Sequence, residues 1–184
     1  MTKKRANIKK TAIASIAVAA LLAGCSAGNG GTNNQNNQVD GPLYPYPFES
    51  AIIEYELQGN VEGSIKVSVD GNLSAHETNA TAEGEEIHNT LLDLGDTLYQ
   101  IDHNTGMGQK APNPIYTQLQ SINPDERKEF LIRLAVGAPE TGAMPQPKEQ
   151  REIAGQTCDV YDLKGIGEIC LWDGVPLYSS VVIP

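Results

Sequence analysis

Apolar and polar residues alternate along most of the chain after residue 50, and this alternation predicts β-strands. Residues 53–57 and 64–70 repeat with a period of two, which is typical of strands that bury one face. Similar or weaker alternation predicts three more strands, at 73–82, 87–94 and 97–102. Turn-forming residues join neighbouring strands at 60–63, at Asp70-Gly71-Asn72 and at Gly95-Asp96. The first half of the domain is therefore expected to be an antiparallel sheet.

Two helices are expected to interrupt this run of strands. Asn113-Pro114 and Asn123-Pro124 each place an N-cap residue before a proline at the first helical position. The second signal is the stronger one, because two acidic residues follow it in the first helical turn. An apolar stripe then marks one side of this helix, formed by Phe130, Leu131 and Leu134. We expect the stripe to pack in the core, and lining a ligand cavity is the alternative.

The chain is expected to return to strands after a proline-containing loop. Residues 137–148 have few side chains able to anchor them, so we expect them to be mobile and to gate the mouth of a cavity. Residues 152–163 and 168–177 are predicted to be paired strands, followed by a terminal strand at 179–183. The whole pattern predicts a mainly β, α+β fold: a strongly curved antiparallel sheet or incomplete barrel with one or two inserted helices.

The N-terminus has the pattern of an export signal. Five basic residues within the first ten precede an apolar and small-residue run, at 11–24, that is short for a membrane span. Leu22-Ala23-Gly24-Cys25 closes this run and resembles the bacterial lipoprotein box, in which the cysteine is lipidated and becomes the mature N-terminus. An ordinary signal peptide with an incidental cysteine is the alternative. The lipoprotein interpretation places the chain in the cell envelope, at the outer membrane facing the periplasm if the host is a diderm.

Composition divides the rest of the chain into a tether and one domain. We assign 1–24 to the signal peptide, 25–49 to the lipidated cysteine with its tether, and 50–184 to the folded domain. Residues 26–41 are rich in Asn, Gly and Gln and offer little apolar surface, which favours a flexible tether. The aromatic and proline-rich residues 43–48 are expected to run extended over an edge of the domain, and a recognition motif is the alternative.

The charge of the chain restricts its partners. The formal net charge is −10, and removing the signal peptide leaves 8 basic against 23 acidic side chains, a net charge near −15. Such a surface repels phosphate backbones and anionic headgroups, which argues against binding to nucleic acid or electrostatic docking on a membrane. Membrane attachment is therefore expected through acyl chains on Cys25, palmitate among them.

The two remaining cysteines are expected to form a disulfide. Cys158 and Cys170 are an even pair in a chain predicted to enter an oxidising compartment, so a bond is favoured over two free thiols. If the intervening turn is centred on Lys164, the two residues face each other directly across an antiparallel pair. The expected role is structural, because the close Cys-x-x-Cys spacing of redox pairs is missing.

Two segments resemble envelope proteins of the LolA/LolB type and related uncharacterised bacterial lipoprotein families. The first is Thr97-Leu98-Tyr99-Gln100-Ile101-Asp102 with its following Thr105-Gly106 and Asn113-Pro114. The second joins Gly155-Gln156-Thr157-Cys158-Asp159-Val160-Tyr161 to Ile169-Cys170-Leu171-Trp172-Asp173-Gly174-Val175-Pro176-Leu177. The resemblance implies a bent, incomplete barrel around an apolar cavity, with helices as a lid. It also implies binding of lipids or of lipoprotein acyl chains.

Residues with catalytic chemistry form no recognised motif. His76, His88 and His103 match no metal-ligand spacing, so scattered surface histidines are expected and no metal or other cofactor is assigned. The sequence has no Gly-x-Ser-x-Gly element and no phosphate-binding glycine loop, so we assign no catalytic residue and expect a non-enzyme. Trp172, the single tryptophan, is expected to be a core anchor, with a ligand platform as the alternative.

Two functions follow from these expectations. The first is a lipid-anchored, non-catalytic envelope protein that binds an apolar ligand or a lipidated partner in a curved-sheet cavity. Candidates for the cavity wall are Phe130, Leu131, Leu134 and Trp172. The alternative is a structural or protein-interaction module whose barrel is filled by its own side chains. A cavity of several hundred Å3 lined by aliphatic side chains favours the first function.

The lipid anchor gives a direct prediction. Replacing Cys25 by Ser removes the acylation site, and the variant is therefore expected in the soluble fraction, while the wild-type chain sediments with membranes. Immunoblotting of fractionated cells measures the distribution. A Cys25→Ser chain that still sediments with membranes contradicts lipid anchoring.

Overall fold

The computed structural model describes residues 43–139 and 141–181. The predicted signal peptide, Cys25, the tether up to residue 42 and the last three residues lie outside this range. Twelve elements follow one another along the chain, and ten of them are strands. Their bounds are β1 Ser50–Leu57, β2 Val61–Asp70, β3 Leu73–Ala82, β4 Glu85–Asp93, β5 Thr97–Asp102, β6 Met107–Pro112, α1 Pro114–Ser121, α2 Pro124–Ala135, β7 Glu149–Ile153, β8 Gln156–Asp162, β9 Gly167–Trp172 and β10 Val175–Val181.

The strands form two antiparallel sheets, so the predicted mainly β fold with two inserted helices is confirmed. The first sheet has six strands in the order β1-β2-β3-β4-β5-β6, and the second has four in the order β10-β9-β8-β7. Both are meanders in which each strand pairs with its neighbour along the chain. The sheets are open, because no pairing joins β1 to β6 or β7 to β10 among the described strands.

One face of the second sheet packs against β1 and β2 of the first sheet. The cluster between them contains residues from both sheets: Ile53, Leu57, Ile65, Val67, Val69, Cys158, Val160, Cys170, Val175 and Leu177. Each is at most 8% exposed. These residues recur at every second position of their strands, so the alternation in the sequence directly generates this buried layer.

Helix α2 covers the opposite face of the second sheet. Ile132 and Val136 pack against Tyr161, Ile169 and Leu171 in a second buried cluster. Strands β8 and β9 are thus covered on both faces, which explains why their sequence is apolar at consecutive positions. Neither α1 nor α2, the helices of the described range, is long and apolar enough to span a membrane.

The structure corrects several of the predicted strands and turns. The hairpin predicted at 60–63 turns at residues 58–60 instead, and β6 was not predicted. The strand expected at 152–163 is two strands, β7 and β8, and that expected at 168–177 is β9 and part of β10. Two-residue turns cause both divisions, since Ala154-Gly155 and Asp173-Gly174 have positive φ at both positions. This conformation matches the twist of a tight hairpin. Asp173-Gly174 is a common hairpin-turn sequence, so the second turn had a signal in the sequence.

The capping residues also differ from expectation. Asn113 caps α1 with its side chain, whose oxygen accepts a hydrogen bond from the Tyr116 N–H at 3.2 Å. Asn123 makes no side-chain capping bond at α2, although its sequence signal was the stronger. The predicted end of α2 is confirmed, because Gly137 follows the C-cap with a φ of 62°.

The disulfide is present, but its predicted register is wrong. Cys158 and Cys170 are bonded, with their Cα atoms 5.5 Å apart, yet the direct cross-strand partner of Cys170 is Val160. The turn is centred on Gly165 rather than Lys164, because the Leu163 N–H donates to the Gly167 carbonyl. The cysteines are therefore diagonal neighbours that the twist of the strands brings together.

We predict that this disulfide carries a large share of the domain's stability. In a Cys25→Ser chain, replacing Cys158 and Cys170 by Ala should lower the free energy of unfolding by about 3 kcal/mol, because a loop of about a dozen residues is no longer closed. Denaturant unfolding measures this difference, and unfolding of the reduced parent protein controls for the lost sulfur packing. Two readily alkylated thiols in the native, unreduced parent contradict the bond.

Candidate functional site

An aromatic arm, residues 43–49, precedes β1 and is bonded to the first sheet at both of its ends. The Leu43 N–H donates to Asn72 Oδ1 at 3.1 Å, and the Tyr44 hydroxyl donates to Asp93 Oδ2 at 2.8 Å. At the other end, the Glu49 carbonyl accepts from the Gly71 N–H at 2.8 Å. The packed part of the chain thus includes residues that the sequence assigned to the tether.

The side chains of the arm form a continuous aromatic stack. Ring centroids lie 5.7 Å apart between Tyr44 and Tyr46, 5.5 Å between Tyr46 and Phe48, and 6.2 Å between Phe48 and Trp172. The arm is not extended as expected: the Tyr46 N–H donates to the Tyr44 carbonyl at 2.8 Å and closes a tight turn over Pro45, which brings the alternate rings together. Each such ring pair contributes about 0.5–1.5 kcal/mol beyond its burial. The stack connects the N-terminal arm to β9 of the second sheet.

Tyr46 and Phe48 also pack against the cluster between the two sheets. The arm therefore lies on the core-facing side of the first sheet, beside the second sheet. Burial raises the pKa of Tyr46, and the Asp93 carboxylate adds to this effect. Burial likewise raises the pKa of Tyr44 well above its usual range, with its hydrogen bond to Asp93 as the second cause. Both tyrosines consequently remain neutral donors at physiological pH.

Polar residues form the wall of the first sheet next to the arm. Ser74 and Asp93 are direct cross-strand partners, and His76 follows on the same face because it is paired with the buried Val67. Ser74 Oγ and His76 Nε2 are 3.1 Å apart, within hydrogen-bonding distance. Burial lowers the pKa of His76, while the Asp93 charge opposes this change. His76 is therefore held mainly as a neutral imidazole.

Asp93 is a structural carboxylate at the centre of this wall. Besides Tyr44, it accepts hydrogen bonds from Asn113 Nδ2 at 3.0 Å and from the Gly95 N–H at 3.1 Å. Both of its oxygens are thus engaged by donors other than His76. In a Ser-His-Asp hydrolase the carboxylate instead accepts from the histidine. Serine, histidine and aspartate meet here, but Asp93 bonds the arm and the start of α1, while Ser74 and His76 bond each other.

The predicted cavity residues occupy two different places. Trp172 lies at the end of the aromatic stack, half-buried. Phe130 and Leu131 are half-buried on α2, and Leu134 is 37% exposed. The expectation that these three α2 residues fill the core is wrong, because Ile132 and Val136 form the buried apolar contacts of the helix. Two arginines on α2, Arg127 and Arg133, are buried as well. A hydrophobic pattern does not predict buried charged side chains.

Arg133 holds the loop after α2 against the helix. Its Nη1 donates to the Pro139 carbonyl at 3.1 Å and its Nη2 to the Gly142 carbonyl at 2.9 Å. Glu129 accepts from the same guanidinium at 2.6 Å and fixes its position from one turn earlier on the helix. The loop has an anchor that its own sequence did not reveal, and its gating role stays a prediction.

An open surface depression of about 520 Å3 lies at the turn between β1 and β2, and none of the four predicted cavity residues lines it. Its lining is Glu56, Leu57, Gln58, Glu62 and Gly63. The lining is mostly polar and includes two carboxylates, so it does not have the chemistry of an acyl-chain site.

Two of the three histidines lie together. The rings of His88 and His103 have centroids 4.3 Å apart on the outer face of the first sheet, whereas His76 lies on the core-facing side. Among the described residues, no group of three or more His, Cys, Asp or Glu side chains is placed to hold a metal ion.

Comparison with protein-family models, with curated proteins and with solved structures gave no match to this chain.

The burial of His76 predicts a loss of stability in mild acid. The unfolded imidazole has a pKa of about 6.5 and the native one a lower value, so below about pH 6.5 the unfolded chain binds a proton that the native chain does not. The free energy of unfolding should therefore fall as the pH drops from 7 to 5. His76→Asn should reduce this fall, while Ser74→Ala, which retains the imidazole, should keep it. Denaturant unfolding at each pH measures the slope, and equal slopes in all three proteins would contradict the assignment.

Proposed function

We propose that this chain is a non-catalytic, lipid-anchored envelope protein that acts as a protein-interaction module, with its interior filled by its own side chains. The observation that carries this proposal is the aromatic arm. It occupies the core-facing side of the first sheet, which is where the LolA/LolB resemblance implies a bound acyl chain. Hydrogen bonds at both ends of the arm and stacking on Trp172 hold it there.

The chemistry of the wall beside the arm supports a permanent filling. Asp93 in this polar wall takes one of its hydrogen bonds from the Tyr44 hydroxyl, at 2.8 Å. An acyl chain in place of Tyr44 offers no donor, so the half-buried carboxylate keeps only its bonds from Gly95 and Asn113. Loss of a hydrogen bond to a partly desolvated charge is destabilising. The arm therefore suits this wall better than an acyl chain does.

The negative charge on the outer face of the first sheet favours a cationic partner. Its register places carboxylates on the side opposite the arm, all of them on exposed residues: Glu54, Glu56, Glu62, Glu77 and Glu86. Lys66 offsets part of this charge, at 3.7 Å from Glu77. With the formal net charge of the chain at −10, electrostatic steering favours partners with a basic surface. The tether from Cys25 would hold this surface within reach of the membrane.

Binding of an apolar ligand is the second candidate function, and one observation favours it. The arm is a separate N-terminal segment whose aromatic residues are only half-buried, so it can leave without breaking strand pairing within either sheet. Its departure would uncover Trp172 and the edge of the core between the sheets. In this case the arm acts as a plug that a lipid or an acyl chain displaces.

Native mass spectrometry of the mature, acylated protein extracted from its own membrane distinguishes the two functions. Filling by the arm predicts the mass of the acylated chain with no further lipid. The same result is expected for Tyr44→Phe, which loosens the arm by removing its bond to Asp93. It is also expected for Tyr99→Phe, a matched control on the outer face of the sheet. One non-covalent lipid per chain in the wild-type protein would overturn the proposal and support the carrier function. Lipid on Tyr44→Phe alone would show that the arm is a displaceable plug.

A further inference from the structure

The two outer-face histidines are direct cross-strand neighbours. The register that pairs Asn89 with Asp102 continues by one residue, and the His103 N–H donates to the His88 carbonyl at 2.9 Å. Their ring centroids are 4.3 Å apart, with an angle of 31° between the ring planes. Both residues are exposed, so the pair is open to solvent on the side opposite the aromatic arm.

The surrounding hydrogen bonds orient the His103 ring and the turn that follows it. Thr90 is only 9% exposed, and its Oγ1 lies 2.8 Å from His103 Nε2, which leaves Nδ1 of that ring for another ligand. The turn that follows is fixed by Asn104, whose Nδ2 donates to the Glu86 carbonyl at 2.6 Å. Protein groups that bind the second nitrogen of an imidazole orient the ring and are a regular feature of metal sites.

We propose that His88 and His103 form a two-imidazole binding site for one divalent transition-metal ion, with Cu2+ bound most tightly. Imidazole is a preferred ligand of Cu2+, Ni2+ and Zn2+, and the affinity of a nitrogen site rises to a maximum at Cu2+ along the first-row metals. Two histidines supply two ligands, and water completes the coordination.

The two rings lie close enough to share one ion. Their centroids are 4.3 Å apart, and rotation of the exposed His88 side chain can bring one nitrogen of each ring to the same metal. Square-planar coordination by nitrogen ligands is typical of Cu2+ and Ni2+.

The charge of the surrounding surface adds to this preference. Glu86 lies two residues before His88 on the same outer face, and Glu77 pairs with Thr90 on the neighbouring strand. Two lysines share this face: Lys66 lies 3.7 Å from Glu77, and Lys110 lies on β6 opposite Tyr99, so carboxylates outnumber them. The acidic chain therefore raises the local concentration of divalent cations at the histidine pair. The site does not involve the arm, so it stands whether or not the proposed function is right.

Titration of Cu2+ into the mature, acylated protein in detergent, without an affinity tag, tests the site. We expect one ion per chain, and electron paramagnetic resonance should show two equatorial imidazole nitrogens. His88→Ala and His103→Ala should each remove one nitrogen from the spectrum and weaken binding by about tenfold or more, and Thr90→Val should weaken it by about tenfold. His76→Asn is the matched control, because it changes the third histidine on the opposite face and should leave binding unchanged.

The double variant His88→Ala with His103→Ala gives the background from adventitious binding. If it binds Cu2+ as tightly as the wild-type chain, the proposal is overturned. Thermal unfolding supplies a second readout, in which each protein is compared with itself in the presence and absence of Cu2+. Cu2+ should raise the melting temperature of the wild-type chain and of His76→Asn but not that of the double variant, and an equal rise in all three would also overturn the proposal.

Discussion

Packing of β1 and β2 against the second sheet holds the domain together. The two sheets are not joined by backbone pairing among the described strands, so side chains must hold them together. Alternate apolar residues of β1 and β2 meet those of β8, β9 and β10, and the Cys158–Cys170 disulfide lies within this layer. The Tyr55 hydroxyl adds a hydrogen bond to the Pro176 carbonyl at 2.8 Å. Because β8 and β9 are fixed in this way, their opposite face is available to hold α2.

Asp93 has a comparable role where the first sheet is not covered by the second. The carboxylate lies at the end of β4 and joins three elements: the aromatic arm through Tyr44, the β4–β5 turn through Gly95, and the start of α1 through Asn113. Asp93 accepts three hydrogen bonds, and hydrogen bonds to a charged group are stronger than those between neutral groups. This arrangement lets a polar wall remain inside the fold, and it makes the N-terminal arm part of the domain rather than of the tether.

The two faces of the first sheet therefore have different chemistry and support different functions. The core-facing side is filled by the arm, which is why we favour an interaction module over an acyl-chain carrier. The outer face carries carboxylates and the His88–His103 pair, both of which favour cationic ligands. A basic protein surface and a divalent metal ion are compatible occupants, since they would use different parts of the same acidic face.

Local sequence patterns were enough to place many of the elements. Period-two alternation located β1 to β5, turn residues located the β2–β3 and β4–β5 hairpins, and an even pair of cysteines indicated the disulfide. These features depend on residues close together in the chain. The buried face of α2 depends on long-range contacts, because Arg133 satisfies its donors with carbonyls of the following loop. The tertiary structure also decided the register of the cysteines, the packing of the arm on Trp172 and the meeting of His88 with His103. Each of these depends on contacts between residues distant in sequence or on the number of residues in a turn, and neither is expressed in a local hydrophobic pattern.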